Sequence, residues 1–203
     1  MSRQASPGVG KSWLLVTVST PGALSTLRVH VWRRLRSLGA LYLQQSVCLL
    51  PDRPRIAKAV EQLADRVGRE GGDARVLRIH FTDPAQETTI VEAFRDERAD
   101  EYQEVLSRVP DFLEEIESER AKGRFTYAEV EESEADLERF RKWLGRIAGR
   151  DYFDAPSGTE ARDAVERCAT ALAEFTDAAL AAQDPQPSAA LRSSLRAVRD
   201  ESA

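Results

Sequence analysis

The chain has 203 residues, of which 42% are hydrophobic, 31% charged and 7% aromatic. That is one domain, or one domain with an appendage, with enough chain to bury a core without a metal or a disulfide framework. Two cysteines, Cys48 and Cys168, cannot build such a framework, and their apolar settings read as reduced thiols of a cytoplasmic protein. The best uncharged run, Ser12–Leu27, is broken by Pro21-Gly22, so no membrane span is expected, and the apolar core Trp13–Val18 is too short, with no small-residue cleavage site after it, for a secretory signal to be expected.

The net charge of -5 is unevenly spread: residues 1–80 carry 13 Lys and Arg against 5 Asp and Glu, whereas residues 81–203 carry 16 against 29. A basic first part suggests an anionic partner there. Mutual neutralisation of the two parts is the other reading. Of the basic residues, 25 are Arg and 4 are Lys, and Arg offers the better fork for oxyanions.

In chain order, residues 1–11 are polar and aperiodic and read as a disordered tail. Ser12–Ser19 is β-branched and apolar, a predicted strand that Thr20-Pro21-Gly22 breaks. Between Ala23 and Leu38, apolar residues at Leu24, Leu27, Val31, Leu35 and Leu38 give one helical stripe, closed by Gly39. Ala40–Gln44 and Val47–Leu50 read as two short strands. Pro54–Glu70 is a second helix, with Ile56, Val60, Leu63 and Val67 on one face. Ala74–Phe81 alternates as a fourth strand. This order predicts an α+β fold, a ferredoxin-like βαββαβ sandwich over residues 12–84.

The remainder reads as a helical appendage over residues 85–183, packed on that sandwich. Glu87–Val109 is helical, and Pro110 kinks or restarts it. Thr126-x-x-Glu129 and Ser157-x-x-Glu160 are capping-box patterns ahead of two further helices. Residues 184–203 read as a flexible tail or a short helix.

The chemical motifs mostly fail. Ala5–Ser12 matches a relaxed phosphate-loop pattern, but no strand precedes it and a strand, not a helix, follows. His30 and His80 are the only histidines, too few for a zinc site with Cys48. No Ser or Cys has an activating context, so no catalytic residue, metal or cofactor is expected, and the chain is not expected to be an enzyme. The carboxylate run from Glu129 to Glu138 reads as the solvated face of a helix.

The first helix is the informative element. Arg28, Trp32 and Arg36 are spaced by four, and Arg33 and Arg34 share the remaining arc with His30. Forked donors around an aromatic plane suit phosphate or another oxyanion. Trp32 finishing the core edge, with the arginines paired to acidic residues of the appendage, is the alternative.

Three stretches carry a resemblance: Ser12–Leu50, EAFRDERADEYQEVL at Glu92–Leu106, and RFTYAEVEESEADLERFRKWLGRIAGRDYF at Arg124–Phe153. Over about residues 12–182 the chain resembles the chromate-resistance regulators of the ChrB family. The resemblance implies a cytoplasmic, chromate-responsive transcriptional regulator, or the N-terminal module of a split one. Its partners would be promoter DNA of a chromate efflux operon, chromate as effector, and either a second copy or a separate chain. Arg28, Arg33, Arg34, Arg36 and Trp32 are then the expected DNA- or oxyanion-binding residues. Arg95 and Arg98 are further oxyanion candidates, unless they pair with Asp96, Glu97 or Glu101 on the same helix. Some members of the family carry an additional C-terminal domain, which a chain of this length is not expected to hold. A protein-interaction module, docking a partner through its acidic helices without touching DNA, is the alternative function.

Overall fold

The first apolar strand of the sequence is one of the two inner strands of the sheet. In the computed structural model, which describes residues 11–20, 25–123 and 126–183, β1 (Trp13–Ser19) is hydrogen-bonded on both edges. It pairs antiparallel with β3 (Val47–Pro51), Leu14 opposite Leu50, and antiparallel with β4 (Asp73–Ile79), Leu14 opposite Arg78. β2 (Leu41–Gln44) adds to the outer edge of β3 through a register shift between Tyr42 and Gln44. The sheet order is therefore β2-β3-β1-β4, the order of a ferredoxin-like sandwich.

Alternation along β1 divides the core in two. Leu14 and Val16 face the helices α1 (Ser25–Ser37) and α2 (Pro54–Arg69), joining Leu27, Val31 and Leu35 of the first and Ile56, Val60, Leu63 and Val67 of the second. Trp13 points to the opposite face, where Leu41, Leu49 and Phe94 close over it. Phe94 belongs to α3 (Pro84–Leu106), whose first part fills that face. The Trp13 ring lies 5.7 Å from Phe94 and 5.5 Å from Phe153, and its indole N–H donates to Glu87 Oε1 at 2.9 Å. A buried Trp needs such an acceptor.

Element boundaries moved by a few residues for local reasons. The helix expected from Glu87 starts at Pro84, because Asp83 Oδ1 accepts the Ala85 N–H at 2.9 Å and Pro favours the first helical turn. It ends at Leu106, and Pro110 restarts the chain as α4 (Val109–Ala121). The Thr126 hydroxyl accepts the Glu129 N–H at 3.3 Å ahead of α5 (Tyr127–Ala148), as its capping pattern predicts. α6 spans Ser157–Gln183. The expected N-terminal tail, the phosphate-loop match up to Gly10 and the C-terminal tail from residue 184 lie outside the described residues.

By compactness the described residues form two units, one within residues 11–101 together with 146–158 and one within residues 102–145 together with 159–183. The sandwich, the first part of α3 and the segment after α5 make the first. The segment is stitched in by backbone acceptors: Arg53 donates to the Tyr152 carbonyl at 2.8 Å and Arg95 to the Phe153 carbonyl at 2.7 Å. The second unit is helical. Its core includes Val105, Phe112, Ile116, Leu137, Val165, Leu172 and Phe175, with Phe112 and Phe140 in an edge contact at 5.8 Å.

Candidate anion-binding helix surface

α1 has a core stripe and, on the remaining arc, no acidic residue. Leu27, Val31 and Leu35 are buried, whereas Arg28, Trp32, Arg33, Arg34 and Arg36 are exposed. None of these four arginines takes part in an ion pair among the described residues. Arg36 instead rests on Trp32, its guanidinium carbon 5.2 Å from the ring centroid. Such stacking holds the cation in place without using up its in-plane donors. Arg34 and Arg36 also sit in the last turn, where the helix dipole favours positive charge.

The Trp32 flank is not the core edge that the alternative reading required. Trp32 is 49% exposed and stands beside Arg28 on the wall of an open groove of about 570 Å³. The opposite wall and floor come from Val16, Val18, Tyr42 and Cys48 of the sheet. Burial pushes the Tyr42 phenol up to about 12, with Cys48 adding to the shift and Arg36 opposing it. Burial likewise pushes the Cys48 thiol up to about 12.

A second helix, passed over in the sequence, extends the basic surface. Arg55, Lys58, Arg66 and Arg69 are exposed on α2. Arg66 Nη1 lies 3.0 Å from His30 Nε2 of α1, so this stripe borders the first helix. The Arg66 Nε also meets Glu70 at 2.7 Å, but no ion pair among the described residues takes Arg55, Lys58 or Arg69. Glu61 lies on the side toward β4, 3.5 Å from Arg78. The available signal was the i, i+3, i+11 and i+14 spacing from Arg55, masked by Glu61 and Asp65 in the same helix.

Arg95 and Arg98 are placed differently. Arg95 is exposed and engaged at the Phe153 carbonyl. Arg98 is only 4% exposed and meets Glu97 at 3.0 Å and Glu101 at 3.1 Å, the same-helix pairing weighed for it. Glu101 in turn takes Arg150 at 2.6 Å. Neither residue joins the α1 surface. Among the described residues, no three or more His, Cys, Asp or Glu side chains are grouped so as to hold a metal. No helix among them is long and apolar enough to cross a membrane.

Strand order, covered sheet and basic outer helices define a ferredoxin-like α+β protein with a helical appendage. The chain belongs to the ChrB family: the family model described as Protein ChrB, N-terminal, matches residues 28–186. A curated relative, Protein ChrB of Cupriavidus metallidurans, is 34% identical over 93 residues, which cover 46% of this chain and 28% of that protein. No solved structure matches the chain.

Proposed function

We propose that this protein is a non-enzymatic, cytoplasmic regulator of chromate resistance, or the N-terminal module of one, which contacts DNA through the outer surface of α1. Membership of the ChrB family supports the link to chromate resistance. The single observation that carries the DNA part is the set of four exposed arginines on α1 that no carboxylate among the described residues neutralises. Phosphate contacts of this kind supply most of a DNA-binding protein's sequence-independent affinity. The other face of the sheet offers no platform for stacked bases, because Phe94, Phe81 and Phe153 already pack around Trp13. Chromate, a tetrahedral dianion, is the proposed effector and asks for the same forked donors.

The test is a titration of an efflux-operon promoter fragment with the purified chain, with and without chromate, using sulfate as the control dianion. If α1 makes four phosphate contacts, log K against log salt falls with a slope of about -3.6. Replacing Arg28, Arg33, Arg34 and Arg36 by Gln abolishes most of that binding and flattens the slope without changing the thermal midpoint by more than a few degrees. Unchanged DNA affinity in that variant removes α1 from the reading. A second reading, docking of a separate protein, draws on the groove between α5 and α6, where Glu134, Glu138 and Asp177 line a space of about 500 Å³. A stable heteromer without any DNA shift at low salt favours it.

A further inference from the structure

We propose that the groove between α1 and the sheet is a binding site for a small organic anion, an apolar or aromatic carboxylate, held by Arg28 and Tyr42 against the Trp32 ring. The volume of about 570 Å³ falls in the roughly 300–1,000 Å³ range of small-molecule sites. Its composition is that of such a site too. The floor is apolar, from Val16, Val18 and Leu35, and Arg28, Tyr42, Gln45 and Ser46 add polar groups to the lining.

Three observations choose the ligand class. First, Arg28 lines the groove, is exposed and lies in no ion pair among the described residues. It is a cation whose counter-charge is open to supply from a ligand. Second, Tyr42 makes no hydrogen bond to any described residue, and burial keeps its phenol protonated far above neutrality. It is therefore a standing O–H donor, suited to a carboxylate oxygen. Third, two large apolar side chains stay exposed at the rim, Trp32 at 49% and Val29 at 42%. An aromatic or branched apolar body would cover both.

The same composition argues against a bare inorganic dianion inside the groove. Chromate or sulfate would exchange a full hydration shell for one guanidinium, the neutral polar groups of Thr20, Tyr42, Gln45 and Ser46 and an apolar floor, and a dianion met by a single cation is costly to desolvate. The outer arginines are open to hydrated oxyanions, whereas the groove fits a molecule with one charged end and one greasy end. The proposal stands independently of DNA binding, and its test uses no DNA.

The experiment is calorimetric titration of the intact chain with 2-naphthoate, with naphthalene-2-carboxamide as the neutral twin and sodium sulfate as the inorganic control. We expect one site per chain for naphthoate. The carboxamide binds at least about tenfold more weakly, in line with the loss of a charge-assisted hydrogen bond. Sulfate at equal ionic strength leaves naphthoate binding in place. Arg28→Gln weakens binding by roughly tenfold or more, and Tyr42→Phe by roughly threefold to tenfold. Val29→Glu, an exposed helix position that leaves the fold intact by circular dichroism, closes the rim to anions and abolishes binding. Equal affinity for naphthoate and its carboxamide, indifference to Arg28→Gln and Val29→Glu, or no saturation at millimolar probe would each overturn the assignment.

Discussion

The phenol of Tyr152 donates a 2.6 Å hydrogen bond to the carbonyl of Leu38, a residue 114 positions earlier in the chain. Leu38 immediately follows α1, where helix carbonyls lack intrahelical partners. The segment after α5 therefore finishes the helix that carries the arginine surface. Arg53 strengthens the attachment, with its guanidinium carbon 4.9 Å from the centroid of the Tyr152 ring.

Tyr152→Phe keeps the ring and removes the donor. The Leu38 carbonyl is then left without that partner, so unfolding free energy falls by about 0.5–1.5 kcal/mol. For a chain of this length the thermal midpoint drops by roughly 1–6 °C. Differential scanning calorimetry of the two proteins reads the change, and an unaltered midpoint means that the bond contributes nothing in solution.

Arg98, Glu101 and Arg150 form a partly buried chain of charge. Arg98 Nε and Nη1 find no acceptor among the described residues, which leaves the Glu97 and Glu101 carboxylates as its counter-charges there. Glu101→Gln takes one of these away and strands Arg150 as well. Removing one partner of such a buried pair typically costs about 3–5 kcal/mol, whereas an apolar replacement of the buried cation is tolerated far better. Arg98→Met is thus expected to cost less than Glu101→Gln in urea titrations. The reverse order would show that Arg98 is well solvated.

How much of this was readable beforehand differs sharply between elements. The βαββαβ order, the first strand and the two buried helical stripes follow from alternation at Leu14 and Val16 and from i, i+4 spacing at Leu27, Val31 and Leu35. Those signals are local. Spacing placed Arg28, Trp32 and Arg36 on one flank of the core stripe but left open whether Trp32 is exposed or finishes the core edge. The groove was not legible. It exists because Tyr42, Cys48 and Val16 on three different strands face one helix flank, a relation set by sheet order and by the register shift in β2. The fate of Arg98 had a helical signal that a charged residue masks: it lies four residues from both Phe94 and Tyr102, which are buried, whereas Arg95 does not share that face.

Gly39 follows α1 with φ of +70°, the left-handed region. A Cβ there would lie 2.8 Å from Arg150 Cβ and 3.3 Å from Arg98 Nη1. Backbone strain alone costs about 1–2 kcal/mol for a non-glycine residue, and the contact adds to it because the Arg150 Cβ cannot swing away. Gly39→Ala is expected to lower unfolding free energy by more than about 1 kcal/mol. Gly123→Ala is the control, with φ of +67° but no described residue within 4 Å of the added Cβ, its chain neighbours aside. Equal losses in the two variants would assign the whole effect to φ.

Cys48 gives the last prediction, because its setting bears on how a chromate-linked protein could be oxidised. The thiol is 1% exposed in the helix-side core, and burial raises it from 9.0 to about 12. The thiolate is the reactive form, so at neutral pH a thiol with this value is almost wholly protonated and shielded. A disulfide reagent should label Cys48 slowly in the native protein and quickly in urea, as resolved by mass spectrometry. Linkage fixes the pH dependence. A folded-state value above the unfolded one means that the contribution is fully present below pH 9 and is lost as pH rises toward 12. Tyr42, raised from 10.0 to about 12, acts in the same direction. Stability should therefore decline above pH 9, and Cys48→Ala, whatever it costs at pH 7, should flatten the decline between pH 9 and 10.5 or so, before Tyr42 dominates. Fast labelling of Cys48 in the native state at neutral pH, with an unchanged alkaline profile in the variant, would mean that the helix layer opens over β3 readily enough to expose this thiol.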